Sequence, residues 1–234
     1  MVELHERVEA VSARTELEEL RRRGMPTGGV IVRIEGIPDA MVTNPSVPFP
    51  CDGETVLAVS DWGRQDALRC VMRRCCGNAD APTPAHVVAA DVYGTGELAW
   101  SWQEHMLVAG AGERPLGIQV AEILALARWA RSEYGSRKVS LHASGTVIPV
   151  AGLIAVALEP LLFSELVTES LISSLKRLMD YPVDYEQAAP LFCFGLFERF
   201  DLPDLVRMCE GVSVRDPSRG PLQARDRKPR GRRK

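Results

Sequence analysis

Short β-branched runs alternate with stretches of helical period along this chain, and that alternation constrains the fold more than any other feature. Val30–Ile34, Thr55–Ser60, His86–Asp91 and Val139–Ala143 read as strands, and Glu165–Ser170 reads as a fifth. Between them, Asp66–Cys76 fits a helix ending near Gly77. Leu116–Tyr134 presents a broad apolar face with Gly135 as its stop, and Val150–Leu158 is a helix of small residues suited to close packing. Strands and helices in this order imply an α/β domain. Its sheet should be mostly parallel, with about five to six strands joined by right-handed crossovers.

The ends of the chain differ from its middle. At 234 residues, one domain with tails is the natural expectation. Residues 1–24 place Val8, Val11, Leu17 and Leu20 at helical spacing among Glu and Arg, an amphipathic helix that ends on Arg21–Arg23 and Gly24. Gly36–Gly53 holds Pro38, Pro45, Pro48 and Pro50 and reads as a loop. The domain should then span residues 25–211. Residues 212–234 gain Arg and Lys, keep Leu222 as a large apolar side chain, and read as a disordered basic tail.

Composition narrows the partners. The net charge of −3 does not mark a nucleic-acid-binding protein, and the basic tail lacks the interleaved aromatics of a recognition surface. No apolar run reaches a membrane span, since Pro149 and Gly152 interrupt the longest. The charged N-terminus has no signal-peptide centre, so the cytoplasm is the expected location. Cys70, Cys75 and Cys76 lie close together but form no C-x-x-C pair, so the six cysteines read as structural or surface thiols and no metal is expected. Gly94-Thr95-Gly96 lacks the third glycine of a dinucleotide fingerprint, so no cofactor is expected either.

Three segments taken together resemble an α/β-hydrolase. Asp61-Trp62-Gly63-Arg64 follows a strand where that family places its oxyanion loop. Asp91-Val92-Tyr93-Gly94-Thr95-Gly96-Glu97 looks like its Asp-x-x-Gly-x-Gly turn. Helix 116–134, strand 139–143 and helix 147–158 resemble the helix, nucleophile strand and nucleophile helix. More narrowly, Gly94–Glu97, Leu116–Val120 and Phe200–Leu205 are similar to bacterial acetyl xylan esterase-like hydrolases. The resemblance covers roughly residues 55–210. It implies a mainly parallel sheet with helices on both faces, and hydrolysis of acyl esters on carbohydrate or small-molecule substrates.

The catalytic residues depart from that pattern. The family implies a G-x-S-x-G nucleophile elbow and the chain order nucleophile, acid, histidine. Ser144 as nucleophile has His142 and Thr146 as flanks. Thr146 has Ser144 and Ile148. Gly145 has the smaller Ala143 and Val147, but glycine cannot attack. The histidines are His5, His86, His105 and His142, all before Ser144. Past Cys209, where the family has two further strands bearing acid and histidine, the chain enters its Arg- and Pro-rich tail. The expectation is a degenerate or truncated esterase. Two alternatives stay open: a non-catalytic binding or scaffolding module using a sheet-edge pocket, and an active serine esterase using Ser144, with His142 two residues before it on the same strand face. Trp62, Asp91, Glu97, Glu104 and His105 are the candidate pocket residues, since the turns carrying them leave the C-terminal edge of the sheet.

Overall fold

The computed structural model describes residues 29–34, 37–43, 55–77, 86–180, 183–217 and 220–221. The expected N-terminal helix and the last residues of the expected tail lie outside them. Within them, eight strands form one sheet in the order β1-β2-β4-β3-β5-β6-β7-β8. Strands β3 (Thr55–Ser60), β4 (His86–Asp91), β5 (Val139–Ser144), β6 (Phe163–Glu169) and β7 (Ser213–Asp216) are mutually parallel. At one edge, β1 (Gly29–Ile34) and β2 (Ile37–Thr43) form an antiparallel hairpin, with β2 also antiparallel to β4. At the other, β8 (Gly220–Pro221) is antiparallel to β7.

The parallel strands need crossovers, and the helices supply them. They are α1 (Arg64–Gly77), α2 (Trp102–Gly110), α3 (Pro115–Glu133), α4 (Ile148–Leu158), the short α5 (Arg177–Asp180), α6 (Tyr185–Ala188) and α7 (Leu196–Arg199), and α8 (Leu202–Met208). The strand period of two splits the core between the two faces of the sheet. Leu57, Val59, Val88, Ala90, Leu141 and Ala143 join the main cluster with α3 and α4. Val56, Ala58, Val87 and Ala89 pack instead with Ala67 and Val71 of α1. Both faces are thus covered, and every residue of β3 is buried. Small residues set the closeness of α4: a Cβ at Gly152 would sit 3.3 Å from the side chains of Ala143 and Leu141.

Two expectations from sequence fail at the sheet edges. Residues 36–53 are not all loop, because β2 lies among them. Pro38 falls in the irregular stretch between the Val32–Ala40 and Ile34–Ile37 pairs, where its missing N–H breaks no regular ladder. The supposed disordered tail also begins too early. Residues 213–215 pair with β6, Asp216 pairs with Gly220 of β8, and the strand alternates exposed and buried, with Val214 and Asp216 inward. Val214 alone is apolar here, so the strand is held largely by its pairing with β6, and the charged residues around it looked like solvent-exposed tail. Helix α2, which carries the candidate residues Glu104 and His105, is not among the helices expected from sequence. Its start is a capping box, Ser101 with Glu104, in which each side chain accepts from the other residue's backbone N–H.

Candidate functional site

Strand β5 ends at Ser144, and the chain turns sharply into α4. Gly145 lies in that turn at φ +113°, a conformation side chains rarely adopt. Its N–H donates to Glu169 O at 3.2 Å, and its neighbours Ala143 and Val147 are buried. Of the three registers open to a nucleophile elbow, this geometry selects Gly145. The strained residue at the strand-to-helix turn, where a hydrolase carries its nucleophile, therefore has no side chain.

Asp61 fills the space. It comes from the turn after β3, whose own N–H donates to Ser144 O at 3.0 Å. The carboxylate accepts backbone N–H groups from Thr146, from Val147 at 3.0 Å and from Ile148 at 2.7 Å. A Cβ at Gly145 would fall 2.7 Å from Asp61 Cβ and closer still to the carboxylate. Oxyanion holes in this architecture use the N–H after the nucleophile together with one from the β3 turn. Here the first of these, Thr146 N–H, already serves an internal anion at the positive end of α4. Burial raises the Asp61 pKa, and the three backbone bonds oppose that rise.

Ser144 and His142 do share a strand face, but it is the wrong one. Their neighbours Leu141 and Ala143 point to the α3–α4 core. Ser144 is buried on the opposite face, its hydroxyl against the Cys70 thiol of α1. Burial, helped by Arg74 and Arg215, pushes the His142 pKa down to about 3 and keeps the ring neutral. The side chain is set among cations and pairs with no described carboxylate that would orient it as a base. The geometry therefore brings these two candidates together without bringing either to the sheet-edge crevice.

That crevice is a cavity of about 140 Å³ lined by Asp61, Gly94, Trp100, His105, Gln119 and Glu186, among others. Of the proposed pocket residues, His105 lines it. Asp91 lies outside that lining and is engaged internally. It accepts Arg64 N–H at 2.6 Å and pairs with the Arg64 guanidinium, whose other arm reaches Glu97. Arg64 thus ties the β3 and β4 turns together through one buried and one exposed carboxylate, and its single charge offsets one of the two. Glu104 caps α2, and Trp62 stands exposed outside the cavity lining.

Sequence reasoning missed the polar cluster behind His105. Glu122 of α3 is fully buried and accepts Tyr93 N–H at 2.6 Å, while Gln119 donates to Tyr93 O at 2.9 Å. Desolvation pushes the Glu122 pKa up to about 8 and that of Tyr93 to about 12. The atoms His105 Nδ1, Gln119 Oε1, Glu122 Oε1 and Tyr93 OH have no hydrogen-bond partner among the described residues. The signal was present as Gln119 and Glu122, polar residues on the apolar stripe of α3. Burial also lowers the His105 pKa, which favours the neutral ring. The hydroxyl that lines the crevice beside it, Thr95 Oγ1, is tied to the backbone: it donates to Val92 O at 2.8 Å and accepts from Val92 N–H at 3.0 Å. Among the described residues, no group of three His, Cys, Asp or Glu side chains is placed to hold a metal ion. No described helix is long and apolar enough to cross a membrane.

Against known proteins, no family model matches the chain and no curated protein matches it. Solved structures do. A Bacteroides fragilis protein provisionally named as an acetyl xylan esterase aligns with a TM-score of 0.61 at 11% identity, over 87% of this chain and 65% of its own. A Klebsiella pneumoniae protein provisionally named as a dienelactone hydrolase aligns at 0.44 and 13% identity, over 76% and 65%. An Acinetobacter baumannii protein provisionally named as a lipase aligns at 0.42 and 13% identity, over 76% and 53%. The chain spans less than two thirds of the length of each of these structures. The first alignment and the strand order show the α/β-hydrolase fold.

Proposed function

We propose that this chain is a non-catalytic member of the α/β-hydrolase architecture, a binding module whose nucleophile elbow is closed by its own side chain. One observation carries the reading. The Asp61 carboxylate occupies the space beside Gly145, at the strained position that would otherwise hold the nucleophile. An acyl transferase needs a nucleophile, a base to activate it and donors for the developing oxyanion. Glycine removes the first, and Asp61 consumes the donor at Thr146. An ester carbonyl entering this turn would meet a carboxylate where it needs a partial positive charge.

The resemblance to acetyl xylan esterases points to esters or other acyl compounds as the ancestral ligand class, and the crevice around His105 remains as a place for one to bind. The test is turnover of 4-nitrophenyl acetate by the full chain, beside Ser144→Ala and a heat-denatured sample. The expected rate is the same for all three. Turnover that Ser144→Ala abolishes would overturn the reading in favour of a serine esterase.

A further inference from the structure

Beyond Ala189 and Pro190, which also line the crevice, lies a second cavity of about 660 Å³. Its walls come from Met106 and Ala109 of α2 and from Tyr185, Phe192 and Phe194 of the segment after β6. We propose that this chamber binds an anionic amphiphile, a single medium-length acyl chain whose carboxylate sits on Arg114. The proposal deepens the non-catalytic reading, since it requires the acyl compound to be held and not cleaved.

Three observations carry it. The first is size and lining: the volume lies within the roughly 300–1,000 Å³ of small-molecule sites, and such sites are mostly apolar with few polar groups. The second is apolar surface left in water around the mouth, where Met106 is 51% and Phe194 77% exposed. The third is Arg114. It lines the cavity, lies with its guanidinium carbon 6.0 Å from the Phe194 ring centre, and donates to the carbonyls of Gly112 and Glu113 at 3.2 Å each. No carboxylate pairs with it among the described residues, whereas Arg64, Arg69, Arg73, Arg128, Arg207 and Arg215 each form an ion pair. Its charge also reaches the cavity wall, where it eases ionisation of the Cys193 thiol against the effect of burial. An apolar chamber with an unneutralised guanidinium at its rim is complementary to a chain with one anionic end. A neutral ester or alcohol would leave that cation unused.

The experiment is calorimetric titration of the full chain with dodecanoate and with dodecanol. Dodecanoate is expected to bind one per chain, with a dissociation constant on the order of micromolar. Arg114→Gln should weaken dodecanoate by about fivefold, as for an exposed ion pair, and leave dodecanol unchanged; Arg114→Lys should restore part of the loss. Ala109→Trp should abolish binding of both. Should that variant unfold, Met106→Glu at its exposed site should weaken dodecanoate more than dodecanol. No binding of dodecanoate up to its solubility, or equal weakening of both ligands by Arg114→Gln, would overturn the proposal. So would dodecanoate binding unaltered by the Ala109 and Met106 variants, as expected if the patch instead serves a protein partner. Release of nitrophenolate from 4-nitrophenyl dodecanoate by a chain that binds dodecanoate would overturn only the non-catalytic reading.

Discussion

The turn at Gly145 and the cavities beside α2 lie along the same edge of the sheet, yet they solve their electrostatics in opposite ways. At the turn, the backbone N–H groups that open α4 are met from inside, although the Ser144 hydroxyl beside them has no hydrogen-bond partner among the described residues. Three backbone N–H groups find one carboxylate, and no space is left. Beside α2, demands are left open. Among the described residues, Glu122, Gln119, Tyr93 and His105 each keep an atom without a hydrogen-bond partner, and Arg114 forms no ion pair. A buried polar group costs free energy unless something bonds to it. The closed turn therefore reads as structure, and the open cavities read as places completed by water or a ligand.

The largest expected effect breaks the closed side. Gly145→Ser puts a Cβ into Asp61 and forces an unfavourable φ, which together should cost about 3–5 kcal/mol in urea unfolding. Adding Asp61→Gly should recover part of that loss by removing the clash. A single Gly145→Ser variant as stable as the parent would mean that Asp61 does not fill the elbow.

The open side responds to pH. The folded Glu122 pKa, about 8, lies above its ordinary value of 4.5, so the folded chain holds this proton more tightly than the unfolded one. Its contribution is then full below pH 4.5 and is lost as pH rises towards 8, by at most about 1.4 kcal/mol per pH unit. Glu122→Gln keeps the acceptor for Tyr93 N–H and cannot ionise. It should flatten that decline, measured as denaturant midpoints across the window. An unchanged slope would remove Glu122 as its source.

A milder test of the closed side is Asp61→Asn. The amide keeps one good acceptor for the start of α4 but loses the charge, at an expected cost of about 1–2 kcal/mol. Smallest of all, Arg114→Gln should change stability by less than about 0.5 kcal/mol, because the side chain is exposed and bonds only to neighbouring carbonyls. An Asp61 variant no more costly than the Arg114 variant would erase the contrast between the two regions.

Much of the architecture was legible in sequence because it is written in local period. The β-branched runs at 55–60, 86–91 and 139–143 are adjacent parallel strands, with α3 crossing from β4 to β5. Two strands near the sheet edges were not legible: β7 has Val214 as its one apolar residue, and β2 lies in a stretch punctuated by Pro38, Pro45, Pro48 and Pro50 that reads as loop. β7 holds its place by pairing with β6 and β8, and β2 by pairing with β1 and β4; pairing leaves no periodic trace in four to seven residues. Among the site residues, Asp91 and Glu97 carried the right chemistry, but their partner Arg64 could not be seen from local spacing.

By itself, the sequence determined that a strand would run into a helix near residue 145, and that no register of that turn offers a well-flanked serine. Local sterics are enough for both statements. The tertiary structure alone decided which register holds, that Ser144 and His142 face α1, and that Asp61, 85 residues from Thr146, seals the turn. Strand pairing brings Asp61 to that place, and the unmet N–H groups of a helix start donate to a carboxylate from any part of the chain the fold delivers.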